Sequence, residues 1–203
     1  MPFPSLSGVD IGAPKLPGST EQTGPDLILV AGGSDIWDRR DEFHFAQTRV
    51  SGDFTLSLRV LSLQMADLYT KVGIMLRASL DAGAAHVMLL TFGDNQPRNK
   101  NNGGLEFQFR ATDNGPCAGL YPPQPLPDVP QFPADLPDHW LKLSRSGDVF
   151  TGAYSADGKA WVTFCTHRQR LPETALLGLA VTSHNVEKSV TARFSDLTFT
   201  PLA

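Results

Sequence analysis

The stretch from Asp53 to Val60, DFTLSLRV, alternates without a break. Phe54, Leu56, Leu58 and Val60 fall on one side of an extended chain, and Thr55, Ser57 and Arg59 on the other. A period of two is that of a half-buried β-strand, whereas an amphipathic helix repeats its apolar positions every three or four residues. The same rhythm recurs further along. KVGIMLR sets Val72, Ile74 and Leu76 against Lys71, Gly73, Met75 and Arg77, and LEFQFR sets Leu105, Phe107 and Phe109 against Glu106, Gln108 and Arg110. VTARFSDLTFT alternates Val190, Ala192 and Phe194, then changes phase at Ser195–Asp196 before Leu197 and Phe199, which reads as a β-bulge.

Turn chemistry separates such runs. RSGD (Arg145 to Asp148) parts WLKLS from VFTGAYS, and ADGK (Ala156 to Lys159) parts TGAYS from WVTF. A Ser–Gly or Asp–Gly pair between two alternating runs signals a hairpin. About ten to twelve strands at this spacing predict an all-β sandwich. The one helix candidate, SLDAGAAHVMLL, reads better as a loop and then a strand, because Gly83 interrupts it and its end is apolar. Gly115 to Trp140 carries eight prolines and no period. Proline cannot donate to a ladder, so a long loop is expected there, at about 115–138. Its PPQPLPDVP core suits a polyproline ligand, but an insertion folded over the sandwich and walling a site is preferred. With no internal repeat and no break in composition, residues 1–203 read as one sandwich domain.

Composition excludes several partners. The net charge of −4 is spread without a basic run, which argues against nucleic acid and a polybasic membrane anchor. Apolar runs such as AAHVMLL are too short to span a bilayer. MPFPSLSGVDIG lacks the basic and apolar regions of a signal peptide, so the chain as given is expected in the cytoplasm. Cys117 and Cys165 lack the further ligands of a zinc site and are read as free thiols.

DIG (Asp10 to Gly12), Gly18–Ser19, GGSDIW, DEFHF, SGDFTLSLRV, KVGIMLRASLDAGAAHVML, HWLKLSRSGDVFTGAYSADGKAW and LGLAVTSHN follow one another in that order. Over roughly residues 8 to 200 the chain thereby resembles the uncharacterised domain family grouped with regulation-of-enolase proteins. The resemblance implies the concanavalin A-like lectin/glucanase fold, a jelly-roll sandwich of two antiparallel sheets. Domains of that kind often sit in secreted carbohydrate-active or surface proteins, which qualifies the cytoplasmic expectation. The proline-rich insertion before Trp140 departs from the family pattern.

A glucanase would need paired carboxylates on one strand, and no E-x-D-x-x-E run exists. Glu106 is followed on its own face by Gln108 and Arg110. The strings of alginate-lyase-type sandwiches are also absent, and NQPR (Asn95 to Arg98) matches a galectin sugar motif only in part. Parity instead sends Lys71, Arg77, Gln108 and Arg110 outward, with His86 and Met88 between them. Such planar donors suit sugar hydroxyls or a carboxylate. The expected site is a shallow groove on the concave sheet, formed by Lys71, Arg77, His86, Gln108 and Arg110. Tyr121 or Trp140 would stack on the ligand and His184 would stand at the rim.

GGSDIWDRRDEFHF, from Gly32 to Phe45, admits two readings. The preferred one is a structural corner with Trp37 as its plug, Asp35 and Asp41 accepting turn N–H groups, and His44 as a hydrogen-bonded strand residue. The other makes Trp37 a sugar-stacking residue at a groove edge. Trp161 is expected to cover the end of the core. Asp94, Asn95, Asp113 and Asn114 supply hard oxygens but no ordered calcium pattern, so no metal and no cofactor is expected. The functional expectation is a non-catalytic carbohydrate-binding or interaction module. A polysaccharide lyase or glycoside hydrolase is the alternative, and carbohydrate or protein the partner, with the oligomeric state left open.

Overall fold

The computed structural model describes residues 5–93, 104–121 and 138–202. NQPR, Asp94, Asn95 and the PPQPLPDVP core lie outside the described residues. The strands are β1 (Ser7–Ile11), β2 (Ser19–Thr23), β3 (Asp26–Ala31), β4 (Ile36–Trp37), β5 (Arg40–Asp41), β6 (Phe43–Ser51), β7 (Phe54–Leu63) and β8 (Lys71–Arg77). They continue with β9 (His86–Phe92), β10 (Leu105–Arg110), β11 (Cys117–Leu120), β12 (His139–Ser146), β13 (Val149–Ser155), β14 (Val162–Arg168), β15 (Thr174–Thr182) and β16 (Val190–Pro201). One sheet runs β1-β6-β15-β8-β9-β10-β11 and the other β14-β13-β12-β7-β16-β3-β2, with every pair antiparallel. The all-β jelly-roll expectation holds.

The alternating positions form the core. Phe54, Leu56, Leu58 and Val60 are fully buried on β7, in the middle of the second sheet, and pack with Val72, Ile74, Leu76, Val87, Leu89 and Phe107 from the first. Burying each such side chain stabilises the fold by about 1.5–3 kcal/mol relative to leaving it in water. The phase change in β16 is a register shift between Ser195 and Thr198, with Asp196 at φ +55°. RSGD closes the β12–β13 hairpin. ADGK is a wider connection, closed by Asp157 accepting the Lys159 and Ala160 N–H groups.

One strand was not expected. Cys117–Leu120 pairs with β10 from Phe107 to Arg110, inside the segment read as a loop. It is an edge strand, its four residues CAGL contain no proline, and prolines beside rather than within an edge strand leave the ladder intact.

The outer face of the first sheet departs most from expectation. The expected open polar groove is instead buried under a second small core of Ile11, Ile36, Phe43, Phe45, Met75, Met88, Leu90 and Phe92. Its cover is the Gly32–Glu42 segment, which folds into the β4–β5 hairpin. Ser183 Oγ donates to Gly33 O, Thr182 Oγ1 to Glu42 O, the Asp41 N–H to Ala82 O and the Cys117 N–H to Asp38 O. Gly33 allows this path: its φ is +113°, and a Cβ there would stand 2.0 Å from Glu42 O.

Candidate functional site

The preferred reading of GGSDIW is thereby corrected in part. The plug is Ile36, which is completely buried, and the half-buried Trp37 next to it lines a cavity. His44 behaves as expected, with Nδ1 2.7 Å from Asp10 Oδ1 and Nε2 2.8 Å from Thr20 Oγ1.

The cavity holds about 270 Å³ between the covering segment and the sheet. Trp37, Tyr69, Phe92 and Tyr121 form its aromatic walls, and Asp35, Lys71, Glu106, Gln108 and His184 its polar lining. Tyr69 packs edge-on against Phe92, with ring centroids 6.1 Å apart, and its ring centroid lies 5.4 Å from that of His184. Lys71 Nζ donates to Asp35 Oδ1 at 2.6 Å and to Ile36 O at 3.0 Å, and lies 5.4 Å from the Trp37 ring centroid. An ammonium has three donors, so one N–H is left for the cavity. His184 Nε2 stands 3.4 Å from Asp35 Oδ2, and its Nδ1 3.0 Å from Asp67 Oδ1.

These neighbours drive the two carboxyl groups apart. Burial pushes Asp35 upward, but the bonds and charges of His184 and Lys71 outweigh it and hold Asp35 below its ordinary value. Its bond to Asp35 raises His184 in turn. Glu106 is pushed up to about 7 by burial, against the weaker pull of Lys71 and a Gln108 hydrogen bond. Gly119 makes space for this group, because a Cβ there would lie 2.5 Å from Glu106 Oε1. The cavity thus joins an ionised Asp35 and a Glu106 poised near neutrality to stacking surfaces.

Four of the residues foreseen from sequence meet in this cavity: Lys71, Gln108, Tyr121 and His184. Arg77, His86 and Arg110 do not. They share the same sheet face but are sealed from solvent around Asp41. Arg110 Nη2 reaches Asp41 Oδ1 at 2.6 Å, Arg110 Nη1 reaches Oδ2 at 2.7 Å, and Arg77 Nη1 reaches Oδ2 at 3.2 Å. Both guanidinium groups are consumed by this carboxylate and by backbone carbonyls, so they are structural rather than ligand-facing. Trp140 is on the other sheet, against Gly158, so it cannot share the cavity. Trp161, expected over the core end, is half-buried beneath the Lys142 ammonium, 4.0 Å from its ring centroid. Trp37 stands at the cavity, where the second reading of its segment put it, and Asp35, Tyr69, Phe92 and Glu106 complete the site without having been foreseen in it.

Among the described residues, Asp41, His86 and Cys117 bring metal-ligating atoms within 4.8 Å of one another. Their chemistry does not suit a cation. Asp41 carries two guanidinium groups, and burial pushes the Cys117 thiol up to about 12, far from the thiolate a metal binds. Burial, aided by Arg77 and Arg110, drives His86 down to about 3 and keeps it neutral. Cys165 is likewise pushed up to about 12, and both thiols are free. Neither cysteine should react with an aromatic disulfide reagent at about pH 8 in the folded protein, and both should react once it is denatured. Rapid labelling of the native protein would contradict this burial.

A larger and more open depression of about 780 Å³ lies among the Gly52–Asp53, Gly147–Asp148 and Arg170–Glu173 turns. The Arg145 guanidinium is bonded to the carbonyls of Gly147, Leu171, Pro172 and Glu173, so it fastens turns together and does not face a ligand.

No protein-family model matches the sequence, and no curated protein does. Solved structures do resemble the fold. A functionally unknown protein from Saccharomyces cerevisiae is 18% identical, with a TM-score of 0.69 and 97% of each chain covered. A carbohydrate binding module, CBM66 from Bacillus subtilis, is 16% identical with a TM-score of 0.59 and 96% of each chain covered. A legume lectin-like domain from Entamoeba histolytica is 9% identical with a TM-score of 0.56, covering 98% of this chain and 91% of that one. At such identities the likeness is one of fold, and the fold is the concanavalin A-like jelly-roll sandwich of lectins and carbohydrate-binding modules.

Proposed function

We propose that the chain is a non-catalytic, lectin-like carbohydrate-binding module whose ligand site is the cavity between Trp37 and Glu106. One observation carries this reading: a small depression joins aromatic walls to a floor of planar hydrogen-bonding groups. Sugars present apolar C–H faces and a ring of hydroxyls, so they need both kinds of surface at once. A volume of about 270 Å³ suits one sugar ring rather than a length of chain. The folds of lectins and carbohydrate-binding modules lend support, and membership of the regulation-of-enolase domain family is part of the proposal.

A glycan array followed by calorimetry on its best binder tests the proposal. Trp37→Ala and Tyr121→Ala should each weaken binding about tenfold or more, as loss of an aromatic anchor does. Trp140→Ala, on the opposite sheet, should leave affinity unchanged. Dependence on Trp140 with indifference to Trp37 would move the site to the other sheet.

The separated carboxyls favour a second reading, a glycoside hydrolase or lyase with Glu106 as acid and Asp35 as base or nucleophile. Against it, Asp35 is clamped by Lys71 and His184. Release of reducing ends or unsaturated products from the array's binders would establish this alternative.

A further inference from the structure

Glu106 and Gln108 are neighbours on the outward face of β10, 4% and 1% exposed. Both line the cavity, and both present a side-chain Oε1 that no donor reaches among the described residues. Two deeply buried acceptors without donors are uncommon in a folded protein, and each is an unfilled demand for an N–H or O–H group. Lys71 and His184 hold Asp35 from two sides, and Lys71 keeps one N–H for the cavity.

On the carbohydrate reading above, we infer that the site takes an uncharged sugar and seats two adjacent hydroxyl groups on Glu106 Oε1 and Gln108 Oε1. Direction supports the pairing, since residues i and i+2 of a strand point to the same face and present both acceptors to one ligand. A uronic acid would bring a carboxylate, an acceptor only, against two acceptors and Asp35. An amino sugar would bring its ammonium beside Lys71, which already lies over Trp37. Uncharged hydroxyls meet neither conflict.

The same geometry links binding to a proton. Among the described residues, the charged groups around Glu106 are Lys71 of β8 and Asp35 of the covering segment, and His184, past β15, is paired with Asp35 and Asp67. Gln108, Phe92 and the Tyr121 phenol complete its surroundings. Glu106 is half-protonated near neutrality, and hydroxyls bond more strongly to a carboxylate than to a carboxylic acid. Binding therefore favours loss of the Glu106 proton, and affinity rises with pH.

Calorimetry of the intact chain with D-glucose, D-galactose, D-mannose, D-fructose, glucuronate and glucosamine at pH 5.5 and pH 8.5 tests this. A neutral sugar should bind best, about tenfold more tightly at the higher pH. Near pH 7, buffers of different protonation enthalpy should report proton release on binding. Glu106→Gln, nearly the same shape, should abolish the pH dependence, whereas His184→Asn should keep it. A neutral sugar bound with equal affinity at both pH values, or preference for glucuronate or glucosamine, would overturn the inference and leave the carbohydrate reading standing. If none of these sugars and no glycan of the array binds, both fall together.

Discussion

Asp41→Asn should destabilise the fold by about 3–5 kcal/mol, the cost of breaking a buried ion pair by removing one partner. The substitution barely changes shape, so the loss would be electrostatic. Asp41, Arg77 and Arg110 are each completely buried, and one carboxylate faces two guanidinium groups. Neutralising it leaves two buried cations without the carboxylate they share. Against a typical net stability of about 5–15 kcal/mol, such a loss removes roughly a fifth or more. Urea denaturation would show a much lower midpoint at an unchanged slope. Glu187→Ala, which breaks the exposed Lys15–Glu187 pair, should cost at most about 1 kcal/mol. An apolar replacement of the whole cluster, Asp41→Leu with Arg77→Met and Arg110→Met, should not restore full stability. Arg110 also donates to the carbonyls of Trp37, Asp38, Ala84 and Gly115, which would then lose that donor. A midpoint for Asp41→Asn close to that of the unmodified protein would mean that water reaches the cluster and that the cover is not sealed.

The cluster also explains why the sequence disclosed the sandwich but only part of the site. Alternation in DFTLSLRV, KVGIMLR and LEFQFR reports which side chains share a face, and that parity is correct in all three strands. It does not report what lies on the second face. Lys71, Arg77, Gln108 and Arg110 were read as exposed because polar side chains usually meet water. Here a segment from elsewhere in the chain covers them and brings Asp41 and Asp35 as counter-charges. A signal for that cover was present in HVMLLTF, where Met88, Leu90 and Phe92 are as apolar as Val87 and Leu89. A strand apolar on both faces is covered on both. The same cue would have made Ile36 a plug and freed Trp37 to line the cavity. Glu106 was set aside because no second carboxylate shares its strand face. Its companion in the cavity, Asp35, comes from the covering segment, and strand periodicity cannot see across elements.

Glu106→Gln should stabilise the unliganded protein at pH 8 by about 3 kcal/mol and leave it unchanged near pH 4. The sign follows from proton counts. Glu106 titrates near 7 in the folded chain, against an ordinary value of 4.5, because burial opposes its charge. Between these two values the folded state binds more protons than the unfolded state, so stability falls as pH rises. The penalty is complete above about 7, where the folded chain carries a buried carboxylate. Below about 4.5 both states hold the proton, and the substitution has nothing to relieve. Urea midpoints of the two proteins, measured across this window, should separate progressively as the pH increases. Coincident curves would place Glu106 in contact with water and remove its special chemistry. A structural role gives no reason to keep such a residue, since glutamine fits the same space with less strain. Residues that lower stability in this manner are commonly retained because a ligand uses them. Saturating the site with its sugar should therefore shrink the difference, as the ligand's hydroxyls supply the donors that the empty carboxylate lacks.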